Sequence, residues 1–182
     1  CSEFDDIIAF REDGTYLVTK VGEKKFIGKS IVFAGLWKKN DRHMVYNVIY
    51  LNKDDKKSYI KRFSIESILK DKEYPISKNV TNSKILYITG NPNSESEIVK
   101  INLHFKSVAK KKEFEYDFND ILIKNRSSKG NILTKYPIRK IVQHQLGKST
   151  FGGKKIWFDE AIGKLNFDGR GELLGRFEAN DN

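Results

Sequence analysis

The feature of this sequence that most constrains its fold is a series of short stretches in which apolar and polar residues alternate. The stretch 98–106 is the clearest, with two opposite faces made of Val99, Ile101, Leu103 and Phe105 against Lys100, Asn102, His104 and Lys106. A period of two residues is typical of β-strands with one buried face. Helical spacing is rare, and only the segments 64–70 and 159–165 are predicted as short helices. The sequence therefore predicts an all-β fold.

Polar turns separate the predicted strands at regular intervals. The turns are centred near Gly14, Asp55, Asn93, Ser128 and Gly169, which are 41, 38, 35 and 41 residues apart. Each turn is predicted to join two strands into a hairpin, which gives repeats at 1–38, 39–78, 79–112, 113–150 and 151–182. Because one hairpin cannot bury its apolar face alone, these repeats are expected to pack around a shared axis in a single domain, 1–182. An irregular sandwich with accidental spacing is the alternative.

Positive charge is concentrated in the segment 121–155. It contains no Asp or Glu and nine basic residues: Lys124, Arg126, Lys129, Lys135, Arg139, Lys140, Lys148, Lys154 and Lys155. The rest of the chain is nearly neutral, because the whole chain has 34 Lys and Arg against 24 Asp and Glu. Closely spaced cations displace condensed counterions from phosphates, so this segment is predicted to bind a polyanion. A solvated basic face without a ligand is the alternative.

Length and composition exclude several classes of protein. With 182 residues, 38% hydrophobic and 32% charged, the chain is typical of a globular domain. The longest apolar run, Ile31–Trp37, is too short to cross a bilayer. A single cysteine and the lack of an apolar leader favour the cytoplasm. The abrupt start at Cys1 suggests a fragment of a longer protein.

Catalytic and metal-binding patterns are not found in the sequence. The three histidines, His43, His104 and His144, are scattered without metal-ligand spacing. The stretch 147–150, Gly-Lys-Ser-Thr, resembles the end of a phosphate-binding loop, but Val142 stands where the pattern requires glycine. We therefore predict no catalytic residue, no metal ligand and no cofactor in this chain.

Several motifs resemble one known family. The stretch 124–130, Lys-Asn-Arg-Ser-Ser-Lys-Gly, is similar to the box Gln-Arg/Lys-Arg-Gly-Gly-Lys-Gly of the DNA gyrase A subunit. Arg126, Lys129 and Gly130 match the box, whereas the other four positions depart from it. The stretches 10–16, 59–63 and 152–160 extend the similarity. The chain as a whole resembles the C-terminal domain of the A subunit of bacterial type IIA topoisomerases, most of all topoisomerase IV of the Bacteroides and Flavobacterium type.

The resemblance implies a β-pinwheel, a propeller-like ring of about four blades, which holds duplex DNA on a basic outer rim. Such a domain bends or steers DNA towards the catalytic core of the enzyme. The cleavage tyrosine and the magnesium site lie in the N-terminal part of the A subunit or in the B subunit, and the parent enzyme uses ATP. The implied partners are therefore duplex DNA and the remaining parts of both subunits, with no membrane and a location at the nucleoid.

The predicted DNA contacts follow the basic residues. The main contacts are expected at Lys124, Arg126, Lys129, Gly130, Lys135, Arg139, Lys148, Lys154 and Lys155. Secondary contacts are expected at Lys24, Lys25, Lys38, Lys39, Lys61 and Arg62. Ser127 and Ser128 replace two glycines of the box, which removes easy access to positive φ and close approach of the backbone to phosphate. We expect such a domain to bind and bend DNA but to wrap it weakly.

Two other functions stay open at this stage. A propeller-like scaffold would bind an acidic protein partner and bind DNA only feebly. An RNA-binding β domain would need aromatic side chains exposed on one face for stacking on bases. That option is disfavoured, because most aromatic residues fall on strand positions expected to be buried, namely Phe10, Tyr50, Phe63, Tyr87 and Phe105.

Overall fold

A computed structural model describes residues 5–22, 25–149, 154–166 and 170–177. These residues form β-strands, with a single turn of 3-10 helix at Phe118–Asp120 and no α-helix among them, so the all-β prediction is confirmed. The strands in chain order are β1 (Asp6–Arg11), β2 (Thr15–Lys20), β3 (Ile31–Trp37), β4 (Val45–Asn52), β5 (Lys57–Ser64), β6 (Tyr74–Pro75), β7 (Ser83–Asn91), β8 (Glu95–Leu103), β9 (Glu113–Asp117), β10 (Ile123–Lys124), β11 (Asn131–Thr134), β12 (Ile138–Ser149), β13 (Lys154–Asp159), β14 (Lys164–Asn166) and β15 (Glu172–Phe177).

The first sheet has the order β3-β1-β2-β6 and contains the first predicted hairpin. Strands β1 and β2 pair antiparallel, with Phe10 opposite Tyr16 next to the turn. Gly14 has a φ of +82° there, and a β-carbon at this position would lie 1.9 Å from the Ser83 hydroxyl oxygen. The turn therefore needs glycine for its conformation and for its space.

The second sheet has the order β10-β5-β4-β7, and β11 also pairs with β5. Strands β4 and β5 form the second predicted hairpin, with a continuous register from Val45 opposite Ser64 to Asn52 opposite Lys57. Nearly every residue of both strands is buried, on both faces of the sheet. This hairpin is therefore a central element of the fold and not a half-exposed repeat.

Two further sheets have three strands each. One has the order β12-β8-β9, and the other has the order β14-β13-β15. The chain divides into two compact units, Cys1–Lys148 and Ser149–Asn182, and the β14-β13-β15 sheet belongs to the second unit. In that sheet β13 is central, with Phe158 opposite Leu165 on one side and opposite Glu172 on the other.

Two of the predicted hairpins are wrong. The turn near Asn93 joins β7 to β8, but β7 lies in the second sheet and β8 in the third. The turn near Ser128 joins β10 to β11, and both of these strands pair with β5 instead of with each other. The sheets thus draw strands from several predicted repeats, and the repeat boundaries themselves stay a prediction.

The two predicted helices are also wrong. Residues 65–69 have no regular secondary structure, because Ile65 is buried in the core and its carbonyl accepts a hydrogen bond from the Trp37 indole at 2.8 Å. The segment 159–165 contains the end of β13, a turn and the start of β14. In the first of these segments, packing of a few apolar side chains outweighs the helical spacing of the sequence.

The core of the first unit consists of two clusters that share the β4-β5 hairpin. One cluster is rich in aromatic rings and includes Phe10, Tyr46 and Phe63, with ring centroids 5.1 Å apart for Phe10 and Tyr46 and 5.7 Å apart for Tyr46 and Phe63. The other is mainly aliphatic and includes Ile49 and Ile60. Because neighbouring residues of a strand point to opposite faces, β5 supplies side chains to both clusters.

The five aromatic residues that are predicted to be buried differ in their degree of burial. Phe10, Tyr50 and Phe63 are fully buried, as predicted. Tyr87 is half-buried. Phe105 is 68% exposed, so its prediction is wrong: β8 ends at Leu103, and Phe105 lies in the loop that follows.

A buried polar network connects strands β4, β7, β8 and β12. The carboxylate of Glu97, which is fully buried, accepts hydrogen bonds from Asn47 at 3.1 Å, Tyr87 at 2.7 Å and Gln143 at 2.8 Å, and from the Thr89 hydroxyl. Several donors are needed because a buried carboxylate without partners is costly. This network fixes β8 and β12 against the second sheet.

No helix among the residues that the structure describes has the length and apolar character to cross a membrane. In the same part of the chain, no group of three or more His, Cys, Asp or Glu side chains is arranged to hold a metal ion.

Candidate nucleic-acid interface

The stretch that resembles the family's box forms a loop, here called the basic loop, at residues 124–130. Strand β10 ends at Lys124, the first residue of the loop, and pairs parallel with β5, with Ile123 opposite Arg62. Strand β11 follows it and pairs antiparallel with β5, with Asn131 opposite Ile60. Both ends of the loop are therefore attached to the same strand, and the loop spans the position of Lys61 on β5.

The ammonium group of Lys61 is buried beneath the basic loop. Lys61 is 1% exposed, and its Nζ donates hydrogen bonds to the carbonyl oxygens of Arg126 at 2.8 Å and Ser128 at 3.1 Å, and to that of Ile76. The same atom lies 4.2 Å from the centroid of the Phe63 ring. A buried ammonium needs such acceptors, because it has lost its hydration. Lys61 thus fixes the loop from below.

The pKa of Lys61 reflects this environment. Burial, and to a smaller extent the positive charge of Arg126, lowers the pKa of Lys61 from 10.5 to about 7. The three carbonyl oxygens favour the protonated amine, since only a protonated amine has three N–H groups to donate. The hydrogen bonds that shape the loop are therefore linked to the protonation of one buried group.

Other carbonyl groups of the basic loop also point into the protein. The Lys129 carbonyl accepts a hydrogen bond from the Tyr50 hydroxyl at 2.6 Å, and the Ser127 carbonyl accepts one from the Lys78 amide at 3.2 Å. Four consecutive carbonyl groups, from residue 126 to residue 129, are thus bonded within the protein. Two amides of the loop are used as well, because those of Ser127 and Ser128 donate to Asn125.

Gly130 is the one residue of the basic loop with a positive φ, at +85°. A β-carbon at this position would lie 2.5 Å from the Ile60 carbonyl oxygen and 2.8 Å from the β-carbon of Lys61. Gly130 is thus needed for close packing of the loop on β5. Its role in this structure is to let the chain return to β5, and its predicted contact with DNA is not tested by this geometry.

Lys129 is paired with an acidic residue. Its Nζ lies 3.2 Å from Oδ2 of Asp55 and 4.5 Å from the centroid of the Tyr59 ring. Desolvation acts to raise the pKa of Asp55, but hydrogen bonds from the Tyr59 hydroxyl, the Lys57 amide and Lys129 together lower that pKa to about 2. Tyr59 and Asp55 in turn raise the pKa of Lys129. Asp55 therefore competes with any phosphate for the charge of Lys129.

The other two cations of the basic loop have weaker partners. The Arg126 guanidinium carbon lies 4.6 Å from the centroid of the Tyr74 ring, and Nη1 donates to the Tyr16 hydroxyl at 3.4 Å. Stacking on an aromatic ring leaves the edge of a guanidinium available for a phosphate. Lys124 is exposed and donates to the Asn131 side chain at 3.3 Å.

The remaining predicted contacts lie in several elements. Lys135 and Arg139 are exposed shortly after the basic loop, and Lys38 and Lys39 are exposed just after β3. Lys25 forms an ion pair with Asp71 at 2.6 Å. Lys148 lies in β12, and Lys154 and Lys155 lie in β13. For these three lysines the structure describes the backbone alone. Lys24 lies outside the described residues.

Two predicted contacts must be corrected. Lys61 and Arg62 were expected on the exposed rim, but each is 1% exposed. Arg62 donates to the Asn47 side chain at 3.0 Å and to the Ser94 carbonyl at 2.9 Å, on the opposite face of β5 from Lys61. Neither side chain can reach a phosphate at the surface. Both hold the interior together, because β5 is covered on its two faces.

The structure also contains a basic cleft that the sequence did not predict. It has a volume of about 360 Å³, and its lining includes Arg11, Glu12, Lys29, Lys53 and Lys84. Lys84 is paired with Glu12 at 2.9 Å, and Arg11 with Glu73 at 2.6 Å. These cations come from four separate elements and are isolated along the sequence, so a search for runs of charge does not find them.

We predict a pH dependence of stability that requires Lys61. Its pKa is lower in the folded chain than in the unfolded chain, so between pH 7 and 10.5 the unfolded chain holds a proton that the folded chain has released. The free energy of unfolding should therefore rise with pH through this window, by up to about 1.4 kcal/mol per pH unit from this group. Below pH 7 this contribution is lost.

The measurement is urea unfolding of the native chain and of Lys61→Met at about pH 7.5, 8.5 and 9.5. Groups other than Lys61 contribute to both proteins and cancel in the difference. The native chain should gain stability relative to the variant as the pH rises. A difference that does not change with pH would show that Lys61 keeps its proton in the folded chain throughout this range.

Comparison with known proteins agrees with the resemblance seen in the sequence. The A subunit of DNA topoisomerase 4 from Borreliella burgdorferi is 35% identical over 74 residues, which are 40% of this chain and 12% of that protein. The chain therefore aligns with only a small part of that relative. No solved structure matches the chain. Residues 2–145 of the 182 match the family described as topoisomerase C-terminal domain, Bacteroidota, and the chain therefore belongs to that family.

Proposed function

We propose that the chain is a DNA-binding and DNA-bending domain of a topoisomerase A subunit. The observation that supports this most is the arrangement of the basic loop on β5. Its carbonyl groups are bonded inside the protein, and the exposed cations Lys124, Lys135 and Arg139 lie in or beside it. The segment 121–155 itself contains no Asp or Glu, although Asp55 from outside it pairs with Lys129. Membership of the topoisomerase C-terminal domain family supports the same conclusion.

The proposed mode of binding is recognition of the phosphate backbone. Lysine supplies a compact charge that suits a phosphate oxygen but carries no information on base sequence. Smooth bending of a site of 20–30 base pairs costs on the order of 1–6 kcal/mol, which additional phosphate contacts along a curved surface can offset. Binding of this kind should be largely independent of sequence and strongly dependent on salt.

Only the amides of the basic loop could donate to phosphate, and two of them are already used. Those of Ser127 and Ser128 donate to Asn125, while the loop carbonyls, which are acceptors and do not bind phosphate, face into the protein. Phosphate oxygens would therefore meet mainly the side chains of the loop. This favours a domain that holds and bends DNA without wrapping it fully, as suits decatenation and relaxation more than supercoiling.

The wider assignment belongs to the same proposal. The four sheets would be parts of a β-pinwheel, and the parent would be an ATP-dependent type IIA topoisomerase that acts in the cytoplasm at the nucleoid. This chain would contribute no catalytic residue and no cofactor, while Mg²⁺ and ATP are used elsewhere in the enzyme. Its protein partners would be the B subunit of the enzyme together with the rest of its own A subunit.

The test is the salt dependence of binding to duplex DNA, followed by fluorescence anisotropy. If about six phosphates are neutralised, log K should fall with log[salt] at a slope near −5. Reversal of Lys124, Arg126 and Lys129 to Glu should weaken binding by a similar factor on unrelated sequences and make the slope shallower. The control is the equal charge change made at Lys20, Lys56 and Lys164, which are exposed and lie outside the segment 121–155.

Four results would contradict the proposal in different ways. A slope near zero would exclude phosphate contacts as the source of affinity. Equal losses in the two triple variants would show that net charge and not the basic loop decides binding. Feeble DNA binding together with tight binding of an acidic protein would favour the scaffold, and a preference for single-stranded RNA would favour the RNA-binding domain.

A second prediction concerns Asp55, which competes for Lys129. Asp55→Asn keeps an oxygen that can accept from the Lys57 amide but removes the charge that faces Lys129 at 3.2 Å. We expect DNA affinity at low salt to rise about two- to fivefold, since an exposed ion pair is worth at most about 1 kcal/mol. The same anisotropy assay measures it.

The neighbouring Asp54 provides a matched control, because Asp54→Asn makes the same change in net charge at a carboxylate that accepts a hydrogen bond from Asn82 and is not the one paired with Lys129. The gain from Asp55→Asn should also disappear in a Lys129→Ala background. An equal gain from Asp54→Asn, or a gain that persists without Lys129, would exclude the proposed competition.

A further inference from the structure

The loop between β8 and β9, residues 104–112, combines exposed apolar side chains with a cluster of lysines. Phe105 is 68% exposed and Val108 is 88% exposed. The loop contains no acidic residue and four lysines, Lys106, Lys110, Lys111 and Lys112. An exposed phenylalanine close to an exposed valine offers an apolar contact to a ligand, and this one lies in a positively charged loop. We call residues 104–112 the wedge loop.

The wedge loop is held by hydrogen bonds at its base and within its turn. The Leu103 amide donates to the Lys112 carbonyl at 2.8 Å, and the His104 amide donates to the Pro137 carbonyl at 2.8 Å. The Ser107 amide donates to the His104 carbonyl at 2.9 Å, and the Lys112 ammonium donates to the Ser107 carbonyl. The exposed ring is therefore presented from a fixed turn, which lowers the entropic cost of inserting it into a ligand.

The surroundings of the Phe105 ring are also ordered. The His104 ring stacks on it, with centroids 4.4 Å apart and planes 27° apart. The Lys106 ammonium lies 5.8 Å from the ring centroid. An aromatic stack with a cation beside it is complementary to a nucleobase next to its phosphate, because one part offers a π-face and the other an opposite charge.

We propose that the wedge loop kinks duplex DNA by inserting Phe105 between neighbouring base pairs, while Lys106, Lys110 and Lys111 contact the phosphates on either side. This inference rests on the proposed DNA-binding function and adds to it the element that bends the duplex. Apolar side chains inserted at one base step unstack it and kink DNA by about 20–90°. A kink localised at one step lets a small domain redirect DNA without wrapping it.

Positive charge limits the occupant to a polyanion, and the proposed function favours duplex DNA among the polyanions. The wedge loop has four lysines and no acidic residue of its own, and Glu113, which follows it, is paired with Lys100 at 2.7 Å. The other occupant with matching chemistry is an anionic membrane surface, where phenylalanine and lysine also bind together. The experiment separates the two.

The experiment measures DNA bending by energy transfer between dyes at the two ends of a duplex of about 30 base pairs. The native chain should bring the ends closer. Phe105→Ala should remove at least about half of this change while DNA affinity falls less than tenfold, since the lysines remain. Phe105→Trp should bend like the native chain, and the emission of the new indole should be quenched when DNA is bound.

The matched control is Phe26→Ala, because Phe26 is also highly exposed, at 79%, and follows a lysine. This variant should bend DNA like the native chain. If Phe105→Ala binds and bends DNA as the native chain does, or if Phe26→Ala loses as much bending, the wedge is excluded and the proposed function stands.

Two further results would also overturn the inference. If the native chain does not bind duplex DNA, the proposed function fails and the wedge fails with it. If Phe105→Ala abolishes binding to vesicles of anionic phospholipid and leaves DNA bending unchanged, the wedge loop is a membrane contact and not a DNA contact.

Discussion

The candidate interface depends on one buried lysine. Lys61 comes from a strand whose two faces are covered, and its ammonium finds oxygen partners in the carbonyl groups of Arg126, Ser128 and Ile76. Without these partners a buried ammonium would be too costly to maintain, and without the ammonium two carbonyl groups of the basic loop would lose their donor. The pairing of β10 and β11 with β5 brings both ends of the loop to this point. The hydrogen bonds of Lys61 therefore hold the loop on β5 and give the buried amine its partners.

In our proposal this constraint limits which groups of the basic loop can bind the phosphates of DNA. The carbonyl groups bonded to Lys61 and Tyr50 are acceptors and do not bind phosphate, and the amides of Ser127 and Ser128 already donate to Asn125. The side chains remain, and they are not equivalent: Lys124 is exposed, Arg126 stacks on Tyr74, and Lys129 is paired with Asp55. We infer a surface that attracts the phosphate backbone without clamping it. In our proposal the bend then comes from a separate element, the wedge loop.

The sequence predicted local structure well and long-range structure poorly. Alternation identified the strands β4 and β5, and Asp13-Gly14 identified the turn between β1 and β2. It did not show that β10 and β11 both pair with β5, because pairing between distant strands leaves no mark in the spacing of either strand. The prediction that Lys61 and Arg62 are exposed is wrong for the same reason. A charged residue is expected on the solvated face of a strand, and nothing in the local sequence shows that both faces of β5 are covered. Phe105 was misplaced because alternation continues past Leu103, where the strand ends and the loop turns away.

In our proposal this domain holds and bends duplex DNA without wrapping it. Ligation of a nicked plasmid in the presence of increasing amounts of the domain, with the topoisomers then resolved on a gel, tests it directly, because only a wrap of defined hand changes the linking number. We expect an unchanged distribution of topoisomers at concentrations where binding to the same plasmid is complete. A shift in linking number that grows with bound protein would contradict the claim, and would mean that the substituted box still wraps DNA.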